Sequence, residues 1–164
     1  MHICLLLLSL QFNAFATPEM AEYERISEDI KKLSKRNLWE VVEKRYVEMS
    51  HLGVQLTYKD YLIGAQAAQE RGDIFLTRKR LMMSVKLKQK RSTQRWIAEI
   101  NESYGFVTLK TSSSKGCELA AAAIPMDPVQ VKSIDFAKDL LESEREFSGM
   151  LPVGEYDFGG EVFV

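Results

Sequence analysis

Residues 57–84 read TYKDYLIGAQAAQERGDIFLTRKRLMMS, and the fold class turns on how they are parsed. Thr57 followed three residues later by Asp60 marks a helix start, because hydroxyl and carboxylate each satisfy a backbone amide that the first turn leaves unbonded. Tyr61, Leu62, Ala65 and Ala68 then recur at helical spacing. Gly72 and Asp73 close that helix and open the next, glycine by entering the left-handed turn without steric cost and aspartate by accepting from amides at the new start. Leu76, Leu81, Val85 and Leu87 supply the apolar positions of this second helix. Breaks of so few residues make consecutive helices antiparallel neighbours.

The same grammar extends toward the N-terminus. Ile26, Ile30 and Leu33 share one helical face, as do Trp39, Val42, Tyr46 and Met49. Asn37 with Glu40 is read as a capping box and Gly53 as the stop of that helix. Toward the C-terminus Ser92 is read as the cap of a fifth helix, with Trp96, Ile97, Ile100 and Tyr104 facing inward and Gly105 closing it.

Beyond Gly105 the period changes. Residues 106–111 alternate as a strand, 112–116 read as a loop, and 117–124 as a second strand despite four alanines. Val131, Ile134, Phe136, Ala137, Leu140 and Leu141 form one amphipathic helix. Strand signals return at 147–151 and 155–158, and Gly159-Gly160 marks a hairpin into 161–164. The expected fold class is α+β: antiparallel helical hairpins over 17–104, then a small β-sheet module with one helix over 105–164.

Two stretches carry a resemblance. Trp39, Val42 and Tyr46, and more fully Tyr61, Ala65, Ala68, Gly72-Asp73, Thr77, Leu81 and Ser84, resemble the helix-turn-helix unit of a tetratricopeptide repeat. The likeness implies a helical scaffold for protein–protein interaction. Leu151-Pro152-Val153-Gly154-Glu155-Tyr156 is similar to the L-P-x-G-x-Y segment of small β-sandwich modules of the PEGA type. That likeness implies an extracytoplasmic interaction module in which Pro and Gly fix a turn and the tyrosine packs beside it, and it brings no catalytic residues.

Composition narrows the chemistry. The 164 residues are 46% hydrophobic and 27% charged with a net charge of −1, the profile of a compact globular chain without a global pull toward nucleic acid. Ile3 to Leu10, ICLLLLSL, is too short to span about 30 Å of hydrocarbon; followed by Ala14-Phe15-Ala16, it reads as a secretory signal peptide over 1–16 cleaved before Thr17, although no Lys or Arg precedes it. The mature chain would keep one cysteine, Cys117, read as a buried thiol, and one histidine, His51, read as an exposed helix end. No metal site, cofactor or catalytic residue is expected on that basis. The acidic pairs Glu99/Glu102 and Asp135/Asp139 read as solvated faces.

The informative polar feature is a run of cations. Arg78, Lys79, Arg80, Lys86, Lys88, Lys90, Arg91 and Arg95 occur with no acidic residue between Asp73 and Glu99. Together with Tyr58 and Tyr61 as aromatic anchors, they are the expected interface for an acidic protein partner in the cell envelope. A wall polymer or lipid headgroup is the alternative partner, and nucleic acid is not expected.

Overall fold

In the computed structural model the described residues are 17–111, 118–123, 125 and 127–164. The signal-peptide reading over 1–16, the loop at 112–116 and Cys117 lie outside them. Five helices come first: α1 (Pro18–Ser34), α2 (Trp39–Ser50), α3 (Tyr58–Glu70), α4 (Ile74–Leu87) and α5 (Arg91–Ser103). Then follow β1 (Tyr104–Lys110), β2 (Leu119–Ala121), α6 (Pro128–Glu144), β3 (Glu146–Pro152), β4 (Tyr156–Phe158) and β5 (Glu161–Phe163). The layout is α+β.

Local signals explain most boundaries. Thr57 and Asp60 form a complete capping box at α3, the Asp60 carboxylate accepting from the Thr57 amide at 2.7 Å. Tyr23 of α1 donates to the same carboxylate at 2.6 Å, so the cap also fastens α1 to α3. Gly72 has φ +87°, and Asp73 accepts from the Leu76 amide at 2.8 Å to start α4. Two expected caps are corrected. Asn37 adopts φ +55° and belongs to the exit from α1, where the Leu38 amide reaches back to the Leu33 carbonyl; the N-cap of α2 is Leu38, with no side-chain cap. The N-cap of α5 is Lys90, so Ser92 falls within its first turn, and Gly105 lies inside β1 instead of closing α5.

Ile26 and Ile30 pack with Val42, Tyr46, Met49 and Ala67 to form the first core cluster. The approach of α3 to α2 is close: a Cβ on Gly64 would run into the Tyr46 ring, 2.6 Å from its Cζ. In the C-terminal part β1 pairs antiparallel with β3, from Tyr104↔Pro152 to Lys110↔Glu146, and β2, β4 and β5 form a second antiparallel sheet in the order β2-β4-β5. α6 covers β3 and buries Ile134, Ala137 and Leu141 against Phe147, Leu151 and Tyr156. Tyr156 folds back over the turn after β3 and donates to the Pro152 carbonyl at 2.8 Å.

The change of period at Gly105 is not a linker. Tyr104 begins β1 directly after α5, and a third core cluster unites Ala65, Ile74, Leu81 and Ile100 of the helices with Tyr104 and Met150 of the strands. Lys132 of α6 pairs with Glu70 of α3 at 2.6 Å, and the turn at Gly72 lies against the Lys132 carbonyl, leaving no room for a side chain there. The helices therefore share this third cluster with β1 and β3.

Candidate functional site: the outer face of α4 and the start of α5

The cationic run is divided by the helix period. Thr77, Arg80, Leu81 and Ser84 lie on the inner side of α4, where neighbours crowd out solvent. Arg80 is only 7% exposed and Glu43 of α2 only 5%, so this expected interface cation is instead a core residue. Its guanidinium grips Glu43 with two hydrogen bonds, 2.5 Å to Oε2 and 2.7 Å to Oε1, and donates to the Gly64 carbonyl at 2.7 Å. It also lies 4.1 Å from the centroid of the Tyr46 ring. A charge can be buried only when it is paired and its protons are satisfied, and here both conditions hold. Burial pushes the Tyr46 phenol up to about 12 despite the nearby Arg80 charge.

Tyr61 is likewise drawn inward, packing against the cluster around Val42 and Tyr46. Tyr58 is half-buried. Its hydroxyl shares a 2.7 Å hydrogen bond with Thr93 of α5, and the Lys90 ammonium stands 5.1 Å from its ring centroid. It thus ties the start of α3 to the start of α5 and supports the cations at that end.

The remaining cations stay outside. Lys79, Lys86, Lys88, Lys90, Arg91 and Arg95 are exposed, and Arg78 is half-buried, donating to Asn101 of α5 at 2.6 Å. None of them pairs with a carboxylate among the described residues, whereas Arg25, Lys31, Arg45, Arg71, Arg80, Lys110 and Lys132 all do. The C-terminal residues 135–164 carry eight carboxylates against two cations, yet none of them forms an ion pair with the run. Lys90 caps α5 and Arg91 opens it, with no acidic residue in the first turn. That end of a helix carries partial positive charge, so cations there cost local stability.

Composition alone gave no sign of a second set of residues on this face. Phe75, Met82, Met83 and Leu87 of α4 are 37–45% exposed, and Phe106 of β1 is 57% exposed with its ring centroid 5.5 Å from that of Phe75. Leu87, expected among the apolar positions of α4, is exposed at its C-terminal end, whereas Ile74 at its N-terminal end is buried. The usable signal was the period itself: Phe75 and Met82 are seven apart, as are Lys79 and Lys86.

Concave sites are less developed. A cavity of about 130 Å³ between α3, α5 and α6 is lined by Trp96, Glu99, Tyr104 and Asp127, below the range that encloses small ligands. Burial, then the Asp127 charge, pushes the Tyr104 phenol up to about 12. A trough of about 480 Å³ runs between β1 and β5. Among the described residues no buried side-chain nitrogen or oxygen lacks a partner, and no group of three or more His, Cys, Asp or Glu is placed to hold a metal ion. None of the described helices is long and apolar enough to cross a membrane. No family model, curated protein or solved structure gives a significant match to the chain.

Proposed function

We propose that this protein is an exported, non-enzymatic interaction and assembly factor of the bacterial cell envelope, in which a tetratricopeptide-like helical scaffold presents a basic face to an acidic protein partner. One observation carries the reading: the seven cations from Arg78 to Arg95 other than Arg80 have no carboxylate partner among the described residues, on a stretch with no acidic residue between Asp73 and Glu99. Unpaired like charges repel one another, and an acidic partner removes that repulsion while steering its own approach. The apolar run and Ala-Phe-Ala triplet at the N-terminus support export, and the Leu151–Tyr156 segment supports an envelope setting by resemblance.

The test is affinity capture from a native envelope extract, with wild type beside a variant carrying Lys79→Glu, Lys86→Glu, Arg91→Glu and Arg95→Glu. Arg80 is left intact because reversing it would attack the core. One dominant acidic protein captured at low salt, and lost from the variant, is the expected result. Equal capture by both proteins would remove the basic face from the account. Retention on wall material or anionic vesicles without a captured protein would replace the protein partner with a polymer or lipid.

A further inference from the structure

We infer that the partner segment is an acidic amphipathic helix lying along the outer side of α4; this rests on reading that face as the docking surface for an acidic protein. At about 3.6 residues per turn, half-buried Arg78 and then the exposed residues follow one another around α4 in the order Arg78, Met82, Phe75, Lys86, Lys79, Met83, Leu87. Lys79 and Lys86 form a central stripe. Phe75 and Met82 flank it on one side, and Met83 and Leu87 on the other.

That arrangement discriminates between partners. A helix that settles into a bilayer separates an apolar face from a cationic one. Here, sinking Phe75, Met82, Met83 and Leu87 into hydrocarbon would carry the two central ammonium groups down with them. A partner helix meets the pattern without that penalty. Carboxylates spaced seven residues apart, about 10 Å along its axis, reach Lys79 and Lys86. Apolar residues on either side of them cover the two flanking rows. Methionines suit such a contact because their unbranched thioethers adapt to the partner's shape. Phe106, packed beside Phe75, extends the apolar surface at the N-terminal end of α4. The charges are complementary, since this face has no carboxylate of its own between Asp73 and Glu99.

The probe is a synthetic labelled peptide of about five helical turns, with glutamates seven apart between two rows of leucine. Its binding to the full chain is followed by fluorescence anisotropy. Lys79→Glu/Lys86→Glu is expected to weaken binding at least about tenfold, and a peptide with lysine in place of those glutamates to restore it. Met82→Asp/Met83→Asp is expected to weaken binding comparably, which contact through charge alone would not do. No binding, binding unmoved by the charge reversal, or stronger adsorption to phosphatidylglycerol-containing vesicles than to the peptide overturns the inference. The broader reading has its own discriminator. If capture of an acidic envelope protein survives Lys79→Glu/Lys86→Glu but is lost with Lys90→Glu/Arg91→Glu/Arg95→Glu, the helix inference fails and the docking reading stands. If neither variant affects capture, both fail.

Discussion

Lys79 and Arg80 are neighbours in the chain and occupy opposite environments. The lysine is exposed on the outer side of α4 with no carboxylate partner among the described residues, whereas the guanidinium is buried against Glu43, Gly64 and Tyr46. One helical step of about 100° turns a cation from a surface feature into a fastener between α2, α3 and α4. A run of like charge in sequence is therefore not a patch until the helix period has sorted it.

The sharpest way to break the comparison is to remove the inner cation. Arg80→Leu leaves the Glu43 carboxylate buried with only Arg71 near it, 3.9 Å away. The expected loss is about 3 kcal/mol or more, measured as a lower urea midpoint with an unchanged slope. Replacing both partners, Glu43→Leu with Arg80→Leu, removes the stranded charge and should recover most of that loss. A double variant as unstable as the single one would show that the pair is not the source of the penalty.

Next in size is the close approach that brings the Gly64 carbonyl to Arg80. Gly64→Ala drives a Cβ into the Tyr46 ring, at 2.6 Å from one ring carbon, and should cost about 1–3 kcal/mol by overpacking. Gly105→Ala is the control, since a Cβ there meets nothing within 4 Å. Similar melting temperatures for the two variants would mean that the ring moves aside freely.

Smaller again is an alkaline effect on the buried phenols. Tyr46 and Tyr104, pushed up chiefly by burial, and Tyr23, by burial and then by Asp60, each reach about 12, against 10 when unfolded. Between those limits the folded chain holds protons that the unfolded chain has released, so stability falls as pH rises from 10 toward 12. The urea midpoint should decline across that window, and less steeply for Tyr46→Phe. A midpoint independent of pH up to 11 contradicts the burial of these hydroxyls.

What could be read in advance was local. Thr57 with Asp60, and Gly72 with Asp73, act through backbone groups within a few residues, so sequence proximity is spatial proximity. Asn37 is ambiguous in sequence because the same small polar side chain that caps a helix start also tolerates the left-handed turn after a helix end; the choice depends on how α1 exits. Arg80 needed the partner helix. It lies three residues after Thr77 and four before Ser84, inside a stripe of positions that are all buried, but only Glu43 on α2 makes a cation stable there. The apolar members of the outer face were hidden for the opposite reason: a Met or Leu on a helix is assigned inward by default, and only packing shows that Met82, Met83 and Leu87 are left out.

The smallest expected effect on stability is at the outer cations, and it is what makes them useful. Lys79→Glu/Lys86→Glu breaks no ion pair, empties no cavity and strands no buried group among the described residues. Unfolding free energy should stay within about 0.5 kcal/mol of wild type, a size typical of surface substitutions. If anything it should rise slightly at low salt, because two charges are withdrawn from a repelling set and two of opposite sign added. Binding to an acidic partner should nevertheless collapse in the same protein. Urea titration and anisotropy on one preparation read both quantities. A large stability loss would mean that the outer face is held by contacts like those of the inner one, and the contrast between Lys79 and Arg80 would dissolve. Intact stability with lost binding leaves the two faces of α4 with separate roles, one fastening the helices and the other receiving the partner.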